Sequence, residues 1–413
     1  MGVYDIHKLL DKVIEVQGSD IHIRVSRPPT LRVNSRMGIM DGPPLTAQDT
    51  EEMMRAITPQ RNQLEFKEKG GTDFGMPHGD KGRFRVSVFR ERSHVGIVLR
   101  LLPSRILTFE QIGLPDTIRQ LLHRPRGLLL VTGPTGSGKT TTLATMLDYI
   151  NMNMDRHIVT IEDPIEYYHP HKKSIVTQRE IGVDVGTFAE ATRRVLRMDP
   201  DVILLGEMRD LETIKTAVTA AETGHLVLAT LHTTGSARTV DRIIDQFPSD
   251  QQEQIRTQLS VSIICVISQV LMPRKDRVGQ IAGFEVMIMT PAVENHIRKN
   301  ETFKITSTIQ TSGNLGMFLL DENLFKLYRE GKIAETEALE KSQNPKELRE
   351  KMAAFRVASG SEVNGAAAEA ERYLKTNTRE DAEKCLADFR KQGRADKVAY
   401  YEGLLAAMKK LGK

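Results

Sequence analysis

The sequence has 413 residues, of which 39% are hydrophobic and 27% charged, with a formal net charge of +4. This length exceeds what one ordinary hydrophobic core needs, and it predicts about two or three globular domains. The nearly balanced charge, the 5% aromatic content and the absence of Trp disfavour nucleic acid as a partner, and having only two cysteines, Cys265 and Cys385, excludes a disulfide framework and a four-cysteine zinc site.

The patterns of targeting and membrane insertion are not found. Residues 1–11 are amphipathic, but they carry charges where a secretory signal needs a continuous apolar segment. No apolar run reaches the roughly 18 residues that span a bilayer. The best run, residues 261–272, is interrupted by polar side chains and is predicted to be a buried helix. We therefore expect a cytoplasmic chain with no transmembrane segment.

Residues 1–105 are predicted to form a small α+β domain. Short strand-like runs alternate with turns, and one helix is expected at residues 46–57. Prolines punctuate the next segment, residues 106–126, which is predicted to be a linker with a short helix. The predicted strands of the first domain are residues 21–25, 31–33, 84–89 and 95–102.

Residues 127–355 show strands that alternate with helices. This alternation predicts a mostly parallel sheet with helices on both faces. Beyond it, residues 356–413 are predicted to be a helical extension, because the sequence from residue 366 is rich in Ala, Glu, Lys and Leu. The predicted strands of the parallel sheet are residues 128–131, 158–161, 202–205, 226–231 and 279–288.

A phosphate-binding loop is the strongest motif in the chain. The pattern Gly-x-x-x-x-Gly-Lys-Thr at residues 133–140 follows an apolar strand and precedes a helical pattern. Such a turn surrounds phosphates with backbone N–H groups, while Lys139 reaches the β- and γ-phosphates and the Thr140 hydroxyl binds Mg²⁺. A plain glycine-rich turn is the alternative, and the context disfavours it. The residues predicted to bind ATP are Gly133, Pro134, Thr135, Gly136, Ser137, Gly138, Lys139, Thr140 and Thr141.

Carboxylates follow two of the predicted strands. Glu207 ends an apolar strand, where it is placed to polarise an attacking water or to hold Mg²⁺ through one; an exposed glutamate is the alternative. The acidic group at residues 162–166 follows another strand, and Pro164 forces a turn, so Glu162 and Glu166 could face one cation site. A solvated acidic turn is the other interpretation of this segment.

Histidine and arginine supply further candidates. His225 and His232 lie about 23 Å apart on one strand and cannot share a metal, and His232 is predicted to contact the γ-phosphate. His169 and His171 fit a surface loop better than a metal pair. Six arginines lie at residues 83–105, and a guanidinium stabilises the charge that develops in phosphoryl transfer. For most of these six, a solvated basic edge is the simpler interpretation.

The motifs together resemble the type II and type IV secretion ATPases, and within them the twitching-motility pilus retraction ATPases of PilT type. The similarity covers roughly residues 1–355. Its marks are Gly-Ser-Asp-Ile-His at 18–22, the phosphate loop, an aspartate-box-like segment at 161–166, a Walker B-like segment at 206–210 and a histidine-box-like segment at 221–234.

The resemblance implies a PAS-like domain followed by a RecA-like ATPase domain, assembled as a hexamer with ATP and Mg²⁺ between the two domains. It also implies contact with an inner-membrane pilus platform protein, and with paralogous pilus ATPases, at the cytoplasmic face of the inner membrane. Glu166 and Glu207 inherit the metal and water roles, without a choice between them. The resemblance further points to Arg85 and Arg100 as the arginines that reach the nucleotide. With the candidates taken from the residue patterns, the predicted catalytic set is Glu162, Glu166, Glu207, Arg85, Arg100 and His232, and the predicted metal set is Thr140, Glu166 and Glu207.

Two departures keep alternatives open. Residues 292–299 read Ala-Val-Glu-Asn-His-Ile-Arg-Lys, where retraction members resemble Ala-Ile-Arg-Asn-Leu-Ile-Arg-Glu. The longer C-terminal region resembles that of accessory paralogues which assist another motor. Members that assemble pili or secrete proteins usually carry a four-cysteine zinc module. This chain has only two cysteines and cannot form that module, which disfavours pilus assembly or protein secretion as its function. A nucleic-acid translocase is the alternative from another class. We expect a motor for pilus disassembly.

Overall fold

The computed structural model describes residues 4–33, 36–102, 105–358, 373, 378–391 and 394–410. These residues divide into two compact units. The first comprises Met1–Met272 with Gly279–Leu320, and the second comprises Pro273–Val278 with Asp321–Lys413. The strands of two β-sheets lie in the first unit, except that one strand ends at Pro273.

The N-terminal part of the first unit is an antiparallel sheet with helices packed on it. The helices are α1 (Ile6–Glu15), α2 (Ala47–Ile57) and α3 (Gln60–Lys69). The strands are β1 (Asp20–Ile23), β2 (Thr30–Val33), β3 (Arg36–Ile39), β4 (Gly71–His78), β5 (Gly82–Glu91) and β6 (His94–Leu102). Their order in the sheet is β3-β2-β1-β6-β5-β4.

The expectation of one helix in this region is wrong, because α1 and α3 accompany the predicted α2. In α1, Ile6, Leu9, Leu10 and Val13 are buried at helical spacing. Helix α3 buries only Asn62 and Phe66, so it has no apolar stripe that would reveal it. The C-cap of α3 is Gly70, whose left-handed backbone (φ 75°) suits a glycine.

Strand register sets the two faces of this sheet. Phe84, Val86 and Val88 on β5 are buried against the helices, so Arg85 lies on the opposite face. Arg85 pairs in register with Arg100 on β6. Arg100 in turn pairs with Asp20 on β1. These three side chains therefore form a row across three neighbouring strands.

The predicted linker contains two short helices, α4 (Phe109–Ile112) and α5 (Asp116–Leu122), rather than one. Helix α4 begins with a capping box, in which Thr108 and Gln111 exchange side-chain-to-backbone hydrogen bonds. Phe109, Ile118 and Leu122 are buried against the second sheet. The segment is thus packed on the following region of the same unit.

The second sheet has seven strands and supports the expected α/β arrangement. Every pairing among its central strands is parallel. The strands are β7 (Gly127–Thr132), β8 (His157–Glu162), β9 (Ile175–Glu180), β10 (Val202–Leu205), β11 (Leu226–Leu231), β12 (Ile263–Pro273) and β13 (Gln280–Ile288). Their order is β13-β12-β7-β11-β10-β8-β9.

Helices cover both faces of this sheet. Alternate residues of β7 enter two different hydrophobic clusters, with Leu128 and Leu130 in one and Leu129 and Val131 in the other. The predicted α/β fold class is confirmed. The helices of this region are α6 (Lys139–Asn153), α7 (Phe188–Val195), α8 (Leu211–Glu222), α9 (Ser236–Ile244), α10 (Gln252–Ser262), α11 (Pro291–Arg298) and α12 (Ile305–Thr311), with 3₁₀ turns at Thr302–Lys304 and Gly313–Leu315.

The prediction of a buried helix at residues 261–272 is wrong, because this run forms strand β12. Helix α10 ends at Ser262 and the strand begins at the next residue. A short continuous apolar run has no periodicity that separates a buried strand from a buried helix. Its β-branched content (Ile263, Ile264, Val266, Ile267 and Val270) favours the strand. Strand β9 is also absent from the sequence prediction, since the sequence Ile-Val-Thr-Gln-Arg-Glu is mostly polar.

The second unit is helical. Its helices are α13 (Leu320–Arg329), α14 (Glu335–Lys341), α15 (Pro345–Ala358), α16 (Arg379–Lys391) and α17 (Ala395–Lys410). Helices α16 and α17 share a small core of Ala382, Leu404, Ala407 and Met408, and they support the predicted helical extension. The rest of that prediction, residues 359–372, 374–377, 392–393 and 411–413, lies outside the described residues. The domain boundaries after residues 105, 126 and 355 stay predictions.

Candidate functional site

The phosphate loop joins β7 to α6 and has the backbone that its glycines allow. Gly133 and Gly138 have φ values of 145° and 87°. A side chain at position 133 would place its Cβ 2.2 Å from the carbonyl oxygen of Gln269, so only glycine fits there. Helix α6 begins at Lys139, and the partial positive charge of its N-terminus favours an anion next to the loop.

Lys139 folds back over the loop. Its Nζ donates to the carbonyl oxygens of Gly133 (2.8 Å) and Pro134 (3.1 Å). Burial lowers the pKa of this half-buried ammonium group, and the nearby charge of Glu207 partly offsets that effect. The ammonium is therefore a poorly solvated cation at the N-terminal end of a helix, which is an unfavourable place for positive charge unless an anion is present.

Gln269 on β12 is hydrogen-bonded to the phosphate loop and to helix α6. The sequence analysis did not predict a role for it. Its Nε2 donates to the carbonyl oxygen of Ser137 (2.7 Å), and its Oε1 accepts from the Thr142 hydroxyl (2.7 Å). The side chain is 3% exposed. The available signal was a pair of polar residues, Ser268 and Gln269, inside a run that is otherwise apolar.

Gln269→Leu is expected to weaken ATP binding and to lower the free energy of unfolding by about 1–3 kcal/mol, because it leaves a buried carbonyl and hydroxyl without a partner. Nucleotide titration and chemical denaturation measure the two effects. Gln254→Leu, on the exposed surface of α10, is the matched control and should leave both unchanged. Unaltered binding in Gln269→Leu would contradict a supporting role for this side chain.

Glu207 lies just beyond β10 and has two side-chain partners. His232 Nε2 lies 2.9 Å from its Oε1, and Arg209 Nη2 lies 2.8 Å from its Oε2. Burial acts to raise the pKa of Glu207, but the hydrogen bonds from Arg209 and His232 outweigh it, and the pKa is lowered. His232 Nδ1 also lies 3.5 Å from the Thr135 hydroxyl. His232 thus stands between the carboxylate and the phosphate loop.

Glu162 differs from Glu207 because it is almost fully buried. Burial raises the pKa of its carboxyl group to about 7, although hydrogen bonds from Thr160 and Gln178 oppose this rise. The Thr160 hydroxyl donates to its Oε1 at 2.7 Å, and Gln178 Nε2 donates at 3.1 Å. Glu166, four residues further along the chain in the loop after β8, is half-buried.

One cavity of about 660 Å³ collects the predicted catalytic residues. It lies at the carboxyl ends of the parallel strands, where α/β sheets bind ligands. The first sheet contributes Arg85 and Arg100 from β5 and β6. Gly133, Pro134 and Ser137 of the loop are not among the lining residues. The predicted residues that line the cavity are Arg85, Arg100, Thr135, Gly136, Gly138, Lys139, Thr140, Thr141, Glu162, Glu166, Glu207 and His232.

Asp20 holds Arg100 at this cavity. Arg100 Nε donates to Asp20 Oδ1 at 2.8 Å, and Arg32 Nε lies 3.4 Å from Asp20 Oδ2. Burial raises the pKa of Asp20, but hydrogen bonds from Arg100 and Ser19 outweigh it, so the pKa is lowered. Arg85 is exposed on the same face. The sequence marked Asp20 as part of a motif without a role.

Oxygen donors from three chain segments face the cavity, namely the Thr140 hydroxyl and the carboxylates of Glu166 and Glu207. Mg²⁺ prefers such donors and usually completes its coordination with water and substrate phosphates. Within the described residues, no group of three or more His, Cys, Asp and Glu side chains could hold a metal ion. The one hydroxyl and two carboxylates are oxygen donors of the kind that Mg²⁺ takes when phosphate and water fill its other positions. His225 and His232 lie at opposite ends of β11.

His169 is buried, so its predicted position in a surface loop is wrong. Its side chain belongs to the loop before β9, lines the cavity and is 8% exposed, and its Nδ1 has no hydrogen-bond partner in the part of the chain that the structure describes. Burial lowers the pKa of His169 to about 4. His171, two residues along, is exposed as expected, and its Nδ1 accepts from the Val176 amide at 3.0 Å.

Acid should destabilise the protein partly through His169. Its folded pKa of about 4 lies below the ordinary histidine pKa of about 6.5, so the unfolded state binds more protons between these values. The free energy of unfolding should therefore fall as the pH drops from 6.5 towards 4, by roughly 3 kcal/mol from this group. Denaturation at several pH values should show a shallower fall for His169→Gln than for the wild-type protein. Equal slopes in wild type and His169→Gln would contradict the assignment.

Membrane insertion has no candidate in the structure: among the residues described, no helix is both long and apolar enough to cross a bilayer.

Comparisons with known proteins agree in family. The family described as type II/IV secretion system protein matches residues 3–372. The type IV pilus retraction ATPase PilT of Pseudomonas aeruginosa is 46% identical over 341 residues, covering 83% of this chain and 99% of that protein. The type IV pilus ATPase PilU of the same organism is 39% identical over 345 residues, covering 84% and 90%. A crystal structure of the pilus retraction motor PilT with bound ADP has a TM-score of 0.79 at 45% identity and covers 84% of this chain and 99% of its own.

Proposed function

Because the chain belongs to the type II/IV secretion system protein family, we propose that it is a hexameric, Mg²⁺-dependent ATPase motor that drives retraction of type IV pili. The observation that carries the proposal is the shared cavity, in which a phosphate loop from one sheet faces Arg85 and Arg100 from another. Similarity to a retraction ATPase along 99% of that relative's length supports the retraction function.

The residues of the cavity divide the work of ATP hydrolysis. The loop amides and Lys139 bind the phosphates, and Thr140 with Glu166 or Glu207 would hold Mg²⁺, which supplies positive charge at the phosphate oxygens. Glu207 or Glu166 polarises the attacking water. His232, hydrogen-bonded to Glu207, reports the state of the γ-phosphate position to that carboxylate.

Movement follows from the placement of the arginines. Arg85 and Arg100 stabilise negative charge on the phosphates from the first sheet, so nucleotide binding favours closure of that sheet over the loop, and product release favours opening. In the ring, this cycle moves an inner-membrane platform protein at the cytoplasmic face of the membrane. The free energy of ATP hydrolysis is thereby coupled to removal of subunits from the pilus.

A second candidate is an accessory motor that assists a paralogous retraction ATPase. Residues 292–299, which fall mainly on α11, favour it, because they depart from the sequence that retraction members share. The 39% identity with the ATPase PilU is compatible with it, whereas the 46% identity with PilT favours the first candidate.

Deletion of the gene in its host, followed by counting of surface pili and a twitching assay, tests the proposal. We expect excess pili and no twitching, with both restored by the wild-type gene and neither by Lys139→Ala. Bald cells would overturn retraction in favour of assembly. Normal pili and motility, together with ATP hydrolysis by the purified chain only when a paralogue is added, would establish the accessory function instead.

A further inference from the structure

A largely buried ion pair, Arg83 with Glu180, joins the first sheet to the second. Neither residue belongs to the predicted catalytic, ATP-binding or metal-binding sets. Arg83 on β5 places its Nη2 2.6 Å from Oε2 of Glu180 at the end of β9, and their side chains are 11% and 4% exposed. Arg85, two residues along β5 on the same face, is exposed at the nucleotide cavity. One strand thus carries an anchoring arginine next to an arginine that faces the nucleotide.

The same pair contacts the loop that carries Glu166 on both sides of that residue. Glu180 Oε2 also accepts the backbone N–H of Ile165 at 3.1 Å. Arg83 Nη1 donates to the Tyr168 hydroxyl, and the guanidinium carbon lies 4.6 Å from the centre of the Tyr168 ring. Glu166 lies between these two points of attachment. The position of its backbone therefore depends on Arg83 and Glu180 together.

Neighbouring residues leave room for the Arg83 guanidinium and hold Glu180 in place. A Cβ atom at Gly75 on the neighbouring β4 would lie 2.5 Å from Arg83 Nη2, so the guanidinium occupies the space that a side chain would take. The backbone N–H of Glu180 donates to Asp184 Oδ2 at 2.8 Å, which fixes the acidic partner. A planar guanidinium presents its donors in a rigid fork, so Arg83 can donate to the Glu180 carboxylate through one Nη group and to the Tyr168 hydroxyl through the other.

We propose that Arg83 and Glu180 are positioning residues that couple the placement of the first sheet to the Glu166 loop. While Arg83 rests on Glu180, the loop holds Glu166 in the cavity and β5 presents Arg85 to the same cavity. When the first sheet moves away, the loop loses one attachment and Glu166 loses its alignment. Hydrolysis is thereby restricted to the closed arrangement. This inference rests on the proposed ATPase function.

Neutral replacements of similar size test the coupling in the full-length protein. Arg83→Gln and Glu180→Gln should each lower kcat for ATP about 10- to 100-fold, the loss expected when a reacting group is displaced by about 1 Å. Affinity for a fluorescent ADP analogue should stay within about threefold, since the phosphate loop is untouched. Arg36→Gln, on the exposed strand β3 of the same sheet, is the matched control and should keep wild-type kcat.

Two further measurements separate positioning from a purely structural role. The double variant Arg83→Gln/Glu180→Gln should be no slower than the slower single variant, because residues that act as a unit are not additive. Hydrogen exchange should accelerate at residues 164–168 in both single variants, while exchange in β7 and α6 stays unchanged.

The outcomes distinguish this inference from the proposed function. Wild-type kcat and wild-type exchange in both single variants would overturn the coupling while leaving the ATPase intact. Loss of nucleotide affinity and of stability in parallel with kcat would also overturn it, by showing a structural role only. A wild-type chain without any ATPase activity would instead refute the proposed function.

Discussion

Lys139→Ala is expected to abolish ATP hydrolysis, lowering kcat by about 10³-fold or more, while the chain stays folded and assembled. Lys139 is the cation of the phosphate loop, and its Nζ lies on the carbonyl oxygens of Gly133 and Pro134 at the N-terminus of α6. A phosphate that enters the loop would take over this ammonium as a partner. In the Lys139→Ala variant, the negative charge on the transferred phosphoryl group has no ammonium group beside it to stabilise it.

The loss of activity should not arise from unfolding. Burial lowers the pKa of Lys139, which shows that the folded protein disfavours its charged form. Removal of a poorly solvated cation from a helix N-terminus should leave the free energy of unfolding unchanged or slightly higher. Thermal denaturation without nucleotide measures this, and gel filtration measures assembly.

Lys215→Ala supplies the control for Lys139→Ala. Lys215 is exposed on α8 of the same α/β region, so its replacement should leave kcat, stability and assembly at wild-type values. Hydrolysis at the wild-type rate by Lys139→Ala would contradict a role for the phosphate loop in hydrolysis. It would also contradict the proposal that the cavity is the ATP site.

Local motifs explain why many of the residues that line the candidate site could be named from sequence. The phosphate loop is a contiguous segment whose strand, turn and helix are set by neighbouring residues, and Glu207 follows a strand whose end the apolar run 202–205 marks. Parallel strands bring their carboxyl ends together, so the sequence placed the acidic residues that follow these strands beside the phosphate loop. Arg85 and Arg100 came from the family resemblance, and the sheet register explains why they are neighbours.

Pairs that are distant in sequence could not be predicted in this way. Gln269 and Ser137 are 132 residues apart, and Arg83 and Glu180 are 97 apart. Each is an ordinary polar residue until folding buries it against its partner. Strand β12 was missed for a different reason, because its continuous apolar run has no periodicity that separates a buried strand from a buried helix, and its β-branched content was not used. His169 was misplaced because burial of a single loop histidine leaves no trace in the local pattern.

Arg85→Ala and Arg100→Ala are each expected to lower kcat by about 10³-fold, within the range known for arginines that act on a transferred phosphoryl group. Both side chains line the cavity opposite the phosphate loop. The affinity for ADP should change far less, because the guanidinium groups act on charge that develops during transfer. Steady-state kinetics and nucleotide titration measure the two quantities. Arg90→Ala, on the same strand β5 but exposed beside Phe66, is the matched control.

The two arginines should differ in their dependence on Asp20. Arg100 donates to Asp20 through Nε, and its two Nη groups remain as donors that phosphate oxygens could accept from. Asp20→Asn keeps an acceptor but loses the charge, so it should reproduce part of the Arg100→Ala defect in kcat. Added to Arg100→Ala, it should cause little further loss, whereas added to Arg85→Ala it should lower kcat again. Equal further loss in both backgrounds would show that Asp20 acts on the sheet as a whole and does not position Arg100.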